Sequence, residues 1–180
     1  MIKITTPPVS EPIEVDYVKT YLHWIDTDDS LDAIISDYIS AAREEIEKQA
    51  NLSLVSKTYS QWIYPENMQD YEIDLLRPPH HTIDKVVSIA GDGTETELTE
   101  GDGYTLEKGK TYRIRFDAVG FHRVDFKSGY GSDYGQDLPA LLKIAIAEQV
   151  GQWFEGELDV GVLSDNVMAK VGRFSENTMI

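Results

Sequence analysis

Apolar side chains recur at helical spacing in two well-separated stretches of this chain and alternate with polar ones between them. From Leu31 to about Gln49 they fall at Leu31, Ile34, Ile35, Tyr38, Ile39, Ala42 and Ile46, the i, i+3, i+4, i+7 pattern of an amphipathic helix. Asp32, Ser36, Asp37, Arg43, Glu44, Glu47 and Lys48 make up the face predicted to meet solvent. At 1.5 Å per residue such a helix is roughly 30 Å long. The period returns after Pro139, where Leu138, Leu141, Leu142, Ala145, Ile146, Gln149, Val150 and Trp153 form a second stripe that stops near Gly156. A shorter helical pattern over Glu14–Trp24 leads into Asp26-Thr27-Asp28-Asp29-Ser30, which supplies turn and N-cap chemistry for the helix that follows.

Between the long stripes the period changes to two. Thr58–Tyr64 is aromatic and β-branched, and Pro65 ends it. Short runs follow at Ile73–Leu76, Ile83–Ala90, Thr94–Leu98, Tyr104–Glu107, Tyr112–Phe116 and Arg123–Lys127, separated by Gly- and Pro-containing turns. Strands and helices are segregated, so the pattern predicts an α+β fold and excludes the βαβ alternation of nucleotide-binding folds. The architecture expected is a helical core of two long helices plus a short N-terminal one, with an antiparallel β-rich insert between the long helices. The corresponding boundaries are an arm at 1–13, the helical core at 14–56 and 136–156, the insert at 57–135, and a Gly- and Ser-dotted tail at 157–180 that orders against a partner.

Composition narrows the chemistry. There are no cysteines, which removes disulfides, thiolate zinc sites and cysteine nucleophiles. Thirty-two acidic residues against 16 basic ones give a net charge of −16, which opposes phosphate binding and favours a basic partner. No apolar run is long enough to span a membrane, and the proline-rich start lacks a signal-peptide pattern, so synthesis and assembly in the cytoplasm are expected.

Each candidate site has a plainer explanation. His80-His81 follows a Pro-Pro pair, and adjacent residues of an extended segment point opposite ways, so a solvated loop outweighs a metal site. The Asp- and Glu-rich stretch Gly91–Gly103 lacks EF-hand order and reads as hairpin turns. Gly129–Gly135 lacks the Gly-Lys-Ser/Thr ending of a phosphate loop, and no serine elbow is present. Carboxylates such as Glu44, Glu45, Glu47, Glu148 and Glu155 lie on helix faces that water solvates. No catalytic residue, cofactor or metal is therefore expected. Loop aromatics Tyr130 and Tyr134, with the tail's apolar residues Val162, Leu163, Val167 and Phe174, are the candidate interface.

The order of these features resembles a known family. The acidic turn at Asp26–Ser30 precedes Ala41-Ala42-Arg43-Glu44-Glu45-Ile46-Glu47. A Trp62 strand, Leu75-Leu76-Arg77-Pro78-Pro79, Val86-Val87-Ser88-Ile89 and Tyr104-Thr105-Leu106 come next. Val124-Asp125-Phe126-Lys127-Ser128-Gly129-Tyr130-Gly131 and Leu138–Ile146 follow, closing on Trp153-Phe154-Glu155. Across residues 14–156 this is similar to the head–tail connector (adaptor) proteins of long-tailed bacteriophages and prophages. The resemblance implies a structural virion protein at the head–tail interface, without catalytic residues. Its copies would form a ring of about a dozen below the portal protein, extend the DNA channel without reading sequence, and receive the next head-completion (stopper) or tail protein. Two other classes stand beside it: a carbohydrate- or protein-binding β module, and a metal-dependent hydrolase using His80 and His81.

Overall fold

The computed structural model describes residues 1–24, 29–64, 72–131 and 135–175 of the chain. In chain order the elements are β1 (Ile2–Thr6), α1 (Val15–Tyr21), a 3-10 turn (Asp29–Leu31), α2 (Asp32–Ala50), β2 (Lys57–Ile63), β3 (Glu72–Asp74), β4 (His80–Ile89), β5 (Glu95–Glu97), β6 (Thr99–Glu100), β7 (Gly103–Glu107), β8 (Arg113–Phe116), β9 (Phe121–Ser128), α3 (Ala140–Phe154) and α4 (Asp165–Val171). They form two compact units. Residues 1–8 and 56–130 make a β unit; residues 9–55 and 131–180 make a helical unit.

In the β unit, β9 sits at the centre of a five-stranded sheet ordered β1-β2-β9-β4-β5, in which every pair is antiparallel. Its sequence explains the position. His122, Val124, Phe126 and Ser128 are buried on alternate residues, so one face of the strand turns inward throughout. A second sheet, β3-β8-β7-β6, is antiparallel apart from the short parallel β6–β7 pair. On β8, Ile114 and Phe116 point in while Arg113 and Arg115 point out. The inward faces of both sheets share one core of Tyr59, Ile63, Leu75, Val86, Tyr104, Tyr112, Ile114, Phe116, Val124 and Phe126, which is the logic of a sandwich.

The helical unit is closed by Ile35, Ile39, Ala42 and Ile46 of α2 meeting Leu142, Ala145, Ile146 and Val150 of α3. α2 ends where Asn51 adopts the left-handed conformation (φ 52°) and the Leu52 N–H returns to the Glu47 carbonyl, a C-terminal cap that asparagine tolerates. Gly151 on α3 leaves room for Leu22, whose Cδ2 lies 2.7 Å from where a Cβ would stand.

This architecture corrects the expected one. The fold is a β-rich α+β arrangement. Among the described residues it has nine strands in two sheets and four helices of seven to nineteen residues, not a core of two long helices carrying a β insert. Two causes are visible. The N-terminal segment is a sheet strand: β1 pairs with β2 from Ile2↔Gln61 to Thr6↔Thr58, yet four of its five residues are exposed, so no burial pattern marks it. The strand β3 spans only three residues and exists through β8, about forty residues further along the chain, while β5 and β6 are short pieces held by their immediate neighbours β4 and β7. The polarity of α2 also departs from its helical spacing. Arg43 and Glu47 are buried, whereas Leu31 and Ile34 are exposed.

Candidate assembly surfaces

The helical unit carries an aromatic cluster close to its surface. Trp24, just after α1, lies 4.4 Å from Phe154 at the end of α3, measured between ring centroids. Tyr38 of α2 meets Trp153 and Phe154 edge-on, each at 6.4 Å. Trp153 is buried, but Trp24, Tyr38 and Phe154 are only half-buried. On α2, Ile34 and Leu31 stand four and seven residues before Tyr38, on the same side of the helix. Their exposures of 46% and 40% continue the apolar surface away from the rings.

α3 also fixes the segment that follows it. The Gln149 side chain is wholly buried and uses both ends: its amide N–H donates to the Val162 carbonyl (3.1 Å), and its oxygen accepts from the Ser164 N–H (3.0 Å). The Trp153 indole N–H donates to the same Val162 carbonyl at 2.8 Å. Ser164 then caps α4 by accepting from the Val167 N–H. Glu148 accepts from Lys170 (2.7 Å) and from Asn166.

These contacts place the interface candidates. Val167 is wholly buried, a core residue of the helical unit. Val162 is 49% exposed beside Trp153, with Val160 exposed nearby, while Leu163 and Phe174 are half-buried. Tyr130 is half-buried, and that burial raises its phenol pKa. Tyr134 lies outside the described residues. Leu31, Ile34 and Val160 are surface residues that the sequence pattern does not mark as such. For the first two, helical periodicity alone put them inside; for Val160, the signal available was an apolar residue in a loop beside Asp159 and Gly161.

The electrostatics differ between the units. The helical unit has six basic residues against nineteen acidic, a net charge of −13, whereas the β unit has ten against thirteen, a net of −3. Four of the six cations in the helical unit are engaged inside it. Lys19 pairs with Asp29 and Asp32, Lys48 with Glu45, and Lys170 with Glu148. Arg43, only 4% exposed, bonds Glu11 through Nε (2.6 Å) and Nη2 (3.1 Å), Glu47 through Nη1 (3.1 Å) and Glu44 at 3.3 Å. Burial alone would push its pKa down, but the hydrogen bonds to Glu11 and the neighbouring carboxylate charges hold it above the ordinary arginine value. In the β unit four outward cations meet carboxylates across strands: Arg113 with Asp74, Arg115 with Glu72, Lys85 with Glu97, Lys127 with Asp84.

Three of the four histidines take structural posts. His80 accepts from the Tyr112 N–H at Nδ1 (3.2 Å) and therefore donates from Nε2 to the Leu76 carbonyl (3.0 Å), while its ring stacks on Tyr112. His81 contacts the Gly129 carbonyl. His122 lies flat on Phe116 at 4.0 Å. Among the described residues no three His, Asp or Glu side chains gather as a metal-ligand group. Asp92 turns its carboxylate onto the Thr94 N–H (2.9 Å), closing the β4–β5 turn in which Gly93 has φ 87°.

No protein-family model matches the sequence, and no curated protein matches it either. Solved structures do share its fold. A chain from the neck of an empty gene transfer agent (GTA) particle, computed with C6 symmetry, has a TM-score of 0.78 at 20% identity, over 100% of this chain and 97% of that one. A chain from the virion of a native GTA particle gives 0.78 at 21% with the same coverage. One from the neck of the native particle, computed with C12 symmetry, gives 0.70 at 20%, again with that coverage. At these identities the likeness is one of fold, and this chain has the fold of chains found in the neck and virion of a gene transfer agent particle.

Proposed function

We propose that the protein is a structural component of a phage-like virion neck, a head–tail connector (adaptor). Copies would form a ring below the portal, extend the DNA channel and dock the next head-completion or tail protein. The observation that carries this reading is the correspondence over 100% of the chain with a component of a GTA neck. Agreement over the whole length includes both units and the order of their elements, and the sequence resemblance to connector proteins points the same way. The symmetry of the matched particles, C6 and C12, supports a cyclic arrangement of copies. The charge is compatible with DNA passage: a surface at −16 repels phosphates and lets a duplex move past without adhering. The role is architectural and needs no catalytic group.

The test is electron microscopy of the purified chain mixed with the portal protein of its own particle. A ring of this chain stacked coaxially on the portal is the expected image. A chain that neither binds the portal nor forms a ring in its presence would sink the proposal. Isolated monomers without the portal would not, because the portal is the template on which the ring closes.

A further inference from the structure

We infer that the apolar stripe of the helical unit, running from Ile34 and Tyr38 across Trp24 and Phe154 to Val160 and Val162, is a docking surface for a basic amphipathic segment of a different protein. Ring contacts and one hydrogen bond join its centre, with Ile34 one helical turn before Tyr38 and Val160 two residues before Val162. Tyr38 touches both Trp153 and Phe154, Phe154 touches Trp24, and Trp153 holds the Val162 backbone. Ile34, Val160 and Val162 are 46%, 55% and 49% exposed. Single apolar residues at a surface need no explanation, but a contiguous stripe across two helices and a loop marks an interaction site.

The charge around the stripe decides what covers it. Asp37, Glu155, Glu157 and Asp159 are exposed on the same segments of chain. Four of the unit's six cations are already paired within it. A second copy would bring another helical unit at −13, or a β unit that is itself net −3 and has four of its cations engaged by cross-strand carboxylates. Like charges juxtaposed at an interface are disfavoured. A helix with apolar residues on one side and Lys or Arg on its flanks satisfies both the stripe and its rim. The inference rests on this surface alone and does not require the neck reading.

The experiment measures binding of the full chain to a fluorescent model helix of about 18 residues, roughly five turns, with Leu on one face and Lys on the other. A matched helix carries Glu in place of Lys. Binding of the Leu/Lys helix that weakens with added salt, and no binding of the Leu/Glu helix, is expected. Ile34→Asp and Val160→Asp should each raise Kd about tenfold or more, while Val119→Asp, at an exposed site of the β unit, should leave it unchanged. Two substitutions are used so that misfolding of one, read by circular dichroism, leaves the other to decide. Equal weakening by Val119→Asp would reduce the effect to bulk charge and overturn the inference, as would no binding at all. Loss of self-association in Ile34→Asp, read by sedimentation velocity, would assign the stripe to a second copy and overturn it too.

Discussion

Arg43 was read from helical spacing as a solvent-facing residue, yet it is buried with three carboxylates around it, two of them on its own helix and one from the segment before α1. Periodicity assigns a face by counting turns. It cannot register that Glu11 reaches a residue 32 positions later, with Ser40 also donating to it at 2.7 Å. Glu47 completes the arrangement by accepting the Leu54 N–H at 2.8 Å. Removing the cation leaves Glu47 buried without its counter-charge. Arg43→Met should therefore cost about 3–5 kcal/mol, measured by urea denaturation, with Glu11→Gln costing clearly less because that carboxylate is partly solvated. His122 offers a pH test. Burial drives its pKa below the ordinary histidine value, against the hydrogen bond with the Ala118 carbonyl. The folded chain thus disfavours a proton that the unfolded chain accepts below about pH 6.5. Its contribution is present above that pH and is lost as pH falls toward the folded value. His122→Phe, which keeps an aromatic ring on Phe116, should flatten the decline in stability between pH 7.5 and 5.5 relative to the natural chain. An unchanged slope would place the titration elsewhere.

At the scale of elements, the positions of α2 and α3 were legible because each presents several turns of apolar residues to one partner. The strands β7, β8 and β9 were legible because inward and outward residues alternate along them. What was hidden depends on partners far along the chain: β1, exposed on most of its residues, and the docked segment after α3. That segment follows Gly156 and shows little periodicity, yet Gln149 and Trp153 both bind the carbonyl of Val162. A wholly buried glutamine on a helix is a signal in retrospect, since its amide must find partners. Gln149→Leu should leave the Ser164 N–H without its acceptor and cost about 1–3 kcal/mol. Hydrogen exchange should then show faster opening around Ser164 and through α4, with the β unit unaffected. Uniform acceleration across the chain would mean that the segment is not held as a separate piece.

At the scale of the molecule, the charge is concentrated: the helical unit holds −13 of the −16, so acidity is a property of one unit more than of the chain. The composition disclosed the total, but its partition depends on which segments fold together. Those segments interleave. The chain passes between units after Pro8, Val55 and Tyr130, so neither unit is a continuous stretch. This has a consequence for how the protein is made. α3 follows its partner α2 out of the ribosome only after about ninety further residues. β2 likewise waits for β9, which it joins from Lys57↔Ser128 to Ile63↔His122. At roughly 5–20 residues per second, Ile35, Ile39 and Ile46 remain uncovered on a nascent chain for several seconds. Stalled chains ending before Phe121 should be protease-sensitive in both units, and protection should appear together once α3 has emerged. Graded protection from the amino end would show instead that one unit closes early. A chain woven in this way cannot be dissected by truncation, because any cut between residues 9 and 130 leaves both units unfinished.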